Sequence, residues 1–197
     1  MSTIREELYP GDALLIADIQ NDFLPGGALG IEGGDEIISV LRGYIDRFQS
    51  RSLPIFLSQD WHPSNHCSFR EQGGPWPIHC VAGSIGALPP PSFPIPKTAT
   101  IIQKATRPDK EAYSVFQDTS LHEYLQAAGI GRLFIGGLAT DYCVLNTVKD
   151  ARVLGYHVCL LTDAIRAVNV VWDDGRKAEE AMVRLGAIPT RLEGLTA

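Results

Sequence analysis

ALLIAD, residues 13–18, is a short apolar run that closes on an acid. The design recurs. PIFLSQD at 54–60 ends the same way, RLFIGGL at 132–138 runs into a Thr-Asp pair, YHVCLLTD at 156–163 closes on a polar tip, and TIIQK at 100–104 closes on a lysine. Near-continuous apolar runs of this length fit strands buried on both faces, as in a parallel sheet. Between them lie helical patterns. Ile37, Leu41 and Ile45, with Tyr44 and Phe48, recur at three- and four-residue steps, as do Val144, Val148 and Ala151. Residues 118–128 and 173–185 are two more helix candidates, the second stopped by Gly186. Strand alternating with helix predicts an α/β fold: a doubly wound, mainly parallel sheet with helices on both faces and right-handed crossovers.

The length of 197 residues predicts one domain over 1–197. One stretch breaks the alternation. Residues 60–97 show little periodicity, and five of the 13 prolines fall between Pro89 and Pro96. A long irregular insertion in a compact domain tends to be a functional loop, so this segment is expected to cover the site. The charge balance of 17 Lys+Arg against 23 Asp+Glu gives −6, with no basic run at either end, which argues against a nucleic-acid partner. No apolar run approaches the roughly 20 residues that cross a bilayer, and the N-terminal MSTIREELYPGD lacks the pattern of a signal peptide. A cytoplasmic protein with no membrane partner is the expectation.

Ligands of open α/β sheets bind beyond the carboxyl ends of the strands, which singles out Asp18, Asp60, Lys104 and the segment around Cys143. Four cysteines, 67, 80, 143 and 159, stand far apart with no CxxC pair. Cys143 alone follows a strand and opens a helix, where the helix dipole and a cation such as Lys104 would favour thiolate. Its bland reading is a small buried hydrophobe, the reading given to the other three. Asp60-Trp61-His62 places two ligands two residues apart, on one side of an extended strand end. With His79 from the loop it makes an Asp/His/His set able to hold a divalent ion, although the short pattern alone is weak. His66 is a second-tier ligand, a partner through water or a surface residue, while His122 and His157 read as structural.

At this point five ordered stretches resemble one family, the isochorismatase-like cysteine hydrolases, and within it the nicotinamidases, also called pyrazinamidases. They are LLIADIQNDFLPGGAL, SQDWHPSNHCSF, PWPIHCVAGSIGA, KATRPDKEAYSVF and GGLATDYCVLNTVKDARVLGYHVCLLTDAI, and they cover nearly the whole chain. The resemblance implies a catalytic triad of Asp18, Lys104 and Cys143 and metal ligation by Asp60, His62 and His79. It places the oxyanion-hole amides at Ala139 and Cys143, with a cis peptide between Leu138 and Ala139. Phe23, Trp76 and Leu138 are the implied substrate-binding positions. Ala105 and Val115 depart from the family pattern, which has glycine at both places in many relatives, and Tyr142 occupies a variable position.

The implied activity is hydrolysis of nicotinamide, and of pyrazinamide, to the acid and ammonia through a cysteine thioester, a step of pyridine nucleotide (NAD) salvage. The implied cofactor is a divalent metal, zinc first, with manganese or iron compatible. The implied partner is a small-molecule substrate, and a homo-oligomer is compatible with the family. Alternatives are a cysteine amidohydrolase for another small amide or carbamoyl compound, an isochorismatase-like enzyme, or a catalytically silent binding protein. The silent reading requires an altered Asp, Lys or Cys, and all three stand here.

Overall fold

The computed structural model describes residues 6–93 and 95–196; the first five residues of the N-terminal reading and Pro94 of the proline-rich stretch lie outside the described residues. Six parallel strands form the main sheet: β2 (Asp12–Ala17), β3 (Ile55–Asp60), β4 (Thr100–Lys104), β5 (Arg132–Leu138), β6 (His157–Arg166) and β7 (Ile188–Thr190). Their spatial order is β4-β3-β2-β5-β6-β7. The chain therefore winds outward from β2 to one edge, returns to β5 and winds outward to the other. That is the doubly wound fold read from the sequence, and its switch point lies between β2 and β5, where such sheets open a crevice at their carboxyl ends.

Burial explains the apolar runs. Every residue of β2 and β3 is buried, and alternate β2 side chains enter two different cores. Leu14 and Ile16 pack with Ile37, Leu41, Tyr44 and Phe48 of α1 (Ile37–Ser50) on one face. Ala13, Leu15 and Ala17 pack on the other face with Leu121 and Leu125 of α2 (Leu121–Ala127), Val148 and Ala151 of α3 (Leu145–Val153), and Met182 of α4 (Asp174–Arg184). A strand with a core on each side needs no polar face, so alternation disappears from its sequence. At the switch point Gly137 has φ +114, and a Cβ there would lie 2.1 Å from the Ala17 carbonyl oxygen. A side chain would force β5 away from β2, beside the residue that follows it, Asp18.

Some bounds differ from those expected. β6 runs on to Arg166 because its pairing with β5 shifts register between Ile135 and Gly137, which lets the strand continue past 163. The helix expected at 118–128 is shorter, since Asp118 has φ +53, outside the helical region. Before α3 the backbone forms a π-helical turn, Thr140–Val144. A small parallel pair, β1 (Glu6–Glu7) with β8 (Leu195–Thr196), lies outside the main sheet. Arg132 pins it there, donating to Asp12 through two bonds of 2.8 and 2.7 Å and to Glu6 at 2.8 Å. Among the described residues no helix is long and apolar enough to cross a membrane.

Candidate active site

The carboxyl ends of four adjacent strands supply the first cluster. Asp18 is the residue after β2 and has φ +49; Asp60 and Lys104 are the last residues of β3 and β4 and register partners across them; Cys143 sits in the π-helical turn after β5. Lys104 is 1% exposed, and a buried ammonium is tolerated only where charges and acceptors surround it. Its Nζ donates to Asp60 Oδ1, to the Ala112 carbonyl at 3.2 Å and to Cys143 Sγ at 3.4 Å. An ammonium has three protons to give, and these bonds use them. Asp18 Oδ2 lies 3.1 Å from the same nitrogen but receives no hydrogen bond, whereas Oδ1 accepts from Ser58 Oγ at 2.6 Å. That bare, buried oxygen is the acceptor left for a thiol proton.

Burial shifts these groups. It pushes the Asp18 carboxyl above the usual range, against the Lys104 charge, and the neighbouring Asp60 adds to the rise. Asp60 is held below its usual range because Lys104 and His62 together outweigh the burial that would raise it. The lowered thiol pKa expected for Cys143 is corrected by the structure: burial pushes it well up, and Lys104 only opposes that against Asp18 and Asp60. Burial therefore disfavours the thiolate form of this sulfur. A helix dipole and one shared ammonium are too little to hold a thiolate in a fully desolvated place between two carboxylates.

A second cluster adjoins the first. One ligand atom each from Asp60, His62 and His79 lie within 4.8 Å of one another, and all three residues are buried. His62 Nδ1 is 3.3 Å from the Ala105 carbonyl and His79 Nδ1 is 2.8 Å from the Pro77 carbonyl, so each Nδ1 carries the proton and each Nε2 is left as a lone-pair donor. His62 Nε2 has no hydrogen-bond partner, and Asp60 Oδ2 at 3.6 Å is too far to be one. A buried lone pair beside a carboxylate and a second imidazole fits a divalent cation. His66 does not join this set: Nδ1 meets Ser68 Oγ at 2.7 Å, Nε2 meets the Lys110 carbonyl at 3.1 Å, and the ring lies against His62 with centroids 4.2 Å apart.

Asp60, His79 and Cys143 all face one pocket of about 320 Å³, including space open to solvent. Phe23 and Trp76 line it, as the sequence predicts, together with Ala139. Leu138 lies fully buried in the core beneath and is not part of the wall, while the Leu138–Ala139 peptide is cis as expected. Sequence reasoning missed Leu29, Tyr113 and Val168 in the wall and did not assign Tyr142 there. None of them had a periodic signal, because each comes from irregular backbone or a turn. It also missed Ser58 and Gln20. Gln20 is fully buried: its Oε1 accepts the Asp60 N–H at 2.9 Å, and its Nε2 donates to the Asp60 and Ala87 carbonyls at 2.8 and 2.9 Å. A polar residue two positions after a strand-end acid was the available signal.

The remaining histidines and cysteines lie outside the two clusters. His122 bonds Tyr156 at 2.8 Å and His157 is exposed at a strand start. Cys80 and Cys159 are buried, Cys67 is half-buried, and burial raises the pKa of each, that of Cys159 to about 11.

Comparison with known proteins finds similarity over nearly the whole chain. The isochorismatase domain model matches residues 12–193. The nicotinamidase of Escherichia coli K12 is 41% identical over 199 aligned positions, covering 90% of this chain and 93% of that protein. The zinc complex of Pyrococcus horikoshii pyrazinamidase superposes with a TM-score of 0.88 at 44% identity, covering 92% of this chain and 99% of that one. The L. infantum protein PnC1 in complex with nicotinate gives 0.89 at 33% identity, over 100% and 98% of the two chains.

Proposed function

Since the chain belongs to the isochorismatase family, we propose that it is an amidohydrolase of the nicotinamidase type, converting nicotinamide to nicotinate and ammonia, with pyrazinamide as a second substrate, in NAD salvage. One observation carries the reading. Cys143 Sγ, Asp18 and Asp60 converge on Lys104 Nζ at one end of an aromatic-lined pocket, and the Asp60/His62/His79 set faces the same pocket. The relatives named nicotinamidase and pyrazinamidase do not favour a carbamoyl substrate.

Asp18 takes the thiol proton through its unbonded Oδ2 as the sulfur attacks the amide carbon. Its raised proton affinity suits that step, because the acid formed is not expelled at once. The backbone N–H groups of Ala139 and Cys143 would hold the oxyanion, both residues lining the pocket. Asp18 then returns the proton to the departing ammonia and serves again as base when water attacks the thioester. Lys104 stays protonated throughout, since burial, which disfavours its charge, is outweighed by the two carboxylates and the sulfur. Asp60, His62 and His79 would hold a divalent ion, zinc on the precedent of the Pyrococcus structure, which when bound would supply Lewis-acid chemistry to the substrate ring. Phe23 and Trp76, both in the pocket lining, would pack against a flat ring.

The test is ammonia release from nicotinamide, with and without chelation and zinc add-back. Cys143→Ala is expected to lower turnover by roughly 10⁴-fold or more while bound metal stays constant. Turnover within tenfold of the wild type would overturn the nucleophile.

A further inference from the structure

Beside the reaction pocket lies a second, wider groove of about 550 Å³, including space open to solvent, between the π-helical turn and α4. Its floor is Leu145, Ala178 and Ala181. Tyr142 is the residue common to both linings, facing the reaction pocket on one side and this groove on the other. We infer that Tyr142 is a specificity-determining wall, and that the groove behind it is a latent subsite for an aryl extension of the carboxamide substrate. This rests on the amidohydrolase reading above.

The contacts show why Tyr142 and not its neighbours plays this part. Trp76 is buried and locked, its indole Nε1 donating to the Tyr113 hydroxyl at 2.9 Å. Tyr142 is half-buried and meets that pair through ring contacts, edge-on to Trp76 at 4.9 Å and tilted on Tyr113 at 5.4 Å. Removing its ring leaves the Trp76–Tyr113 wall standing and takes away the partition. The backbone of the turn is held independently, by Tyr142 N–H to the Ala139 carbonyl at 3.2 Å and by Asn146 Nδ2 to the Tyr142 carbonyl at 2.8 Å. Truncation therefore need not move Cys143.

The rim of the groove decides what it would accept. Asp141 is engaged by the Val168 and Asn169 N–H groups at 3.0 and 2.9 Å, and Asp174 by the Val171 N–H at 3.0 Å and by Lys177 at 3.8 Å. Its carboxylates are already paired and its floor is apolar. An uncharged aromatic substituent suits such a surface better than a charged one.

The experiment compares kcat/KM for nicotinamide with that for nicotinamides carrying a phenyl group at ring position 4, 5 or 6, using the wild type, Tyr142→Ala, and Tyr142→Ala with Ala181→Phe. The ratio of two specificity constants on one preparation does not depend on the fraction of active enzyme, so partial misfolding cannot mimic the result. For at least one phenyl isomer, Tyr142→Ala is expected to shift the ratio by about tenfold or more toward the larger substrate, and Ala181→Phe to reverse it by refilling the groove. A ratio within threefold of wild type for all three isomers, or a gain that Ala181→Phe leaves intact, overturns the wall. Failure of the wild type to release ammonia from nicotinamide overturns instead the functional reading on which it stands.

Discussion

The two halves of the site are built in different ways. Asp18, Asp60, Lys104 and Cys143 come from the ends of adjacent strands, so the ladder that pairs Asp60 with Lys104 also sets their spacing. His62, His79 and Trp76 come from the irregular stretch between β3 and β4, where an isolated bridge of His62 to Val81 replaces a sheet. There the backbone is held by a few polar side chains that follow β2. Gln20 brackets Asp60 and Ala87, Asn21 donates to the Ile85 carbonyl at 2.9 Å, and Asp22 Oδ2 accepts the Cys80 N–H at 2.7 Å, where Cys80 has φ +46. The strand-end half draws its geometry from the whole sheet, while the loop half rests on local backbone bonds such as His62 N–H to the Cys80 carbonyl at 3.0 Å and on the clips from Gln20, Asn21 and Asp22. Damage to the first should therefore appear as lost stability together with lost chemistry, and damage to the second as lost metal from a folded protein.

Lys104→Met tests the first half and has the largest expected effect. It leaves two buried carboxylates without their shared cation, so we expect a loss of about 3–5 kcal/mol in urea unfolding along with the loss of ammonia release. A stable, fully folded variant would mean that the cluster does not depend on charge balance. His79→Ala tests the other half. Metal analysis is expected to find bound zinc well below one equivalent, while the metal-free protein unfolds within about 1 kcal/mol of the metal-free wild type. Equal metal content in the two would break the Asp/His/His assignment.

Gln20→Ala connects the halves, because it strips hydrogen bonds from both sides of the Asp60 peptide backbone without touching any reacting group. Unsatisfied buried groups cost about 1–3 kcal/mol, and loosened support of a ligand weakens metal binding by about 10–100-fold. The rate of Cys143 alkylation by iodoacetamide should move little by comparison. A large change there, with unchanged zinc affinity, would show that the clip serves the triad and not the loop.

The same contrast explains what the sequence disclosed. Four strands were legible because a strand buried on both faces must be apolar along its length, and Asp60 stood out against that background; β4, an edge strand with Ile101 and Gln103 exposed, was legible only as a short run closing on Lys104. β7 was not, since three residues carrying Pro189 at a sheet edge make too short a run. The metal set was legible as residue types and became specific only through resemblance, because nothing in DWH shows that the loop returns His79 to it. Tyr113, Val168 and Leu29 were silent, as a pocket wall made of irregular backbone has no period to read. The pKa of Cys143 was misjudged for a related reason: sequence shows the cation and the helix but not the desolvation that outweighs them.

The smallest effect is expected at Ala105, the first residue beyond β4, where the backbone has φ +51. A left-handed conformation costs a Cβ-bearing residue roughly 1–2 kcal/mol. The residue bridges both halves, since its carbonyl faces His62 Nδ1 at 3.3 Å while its neighbour Lys104 holds the triad. Ala105→Gly relieves the strain but raises the entropy of the unfolded chain, worth about 0.4–1 kcal/mol in the opposite sense, so net stability should rise by only a few tenths to about 1 kcal/mol. Zinc affinity should stay within about threefold, because glycine can keep the same carbonyl direction. Were the variant instead to lose stability and release zinc, the methyl group of Ala105, only 4% exposed, would be what holds the carbonyl against His62. The strand-end half would then be supporting the loop half through packing as well as through Gln20.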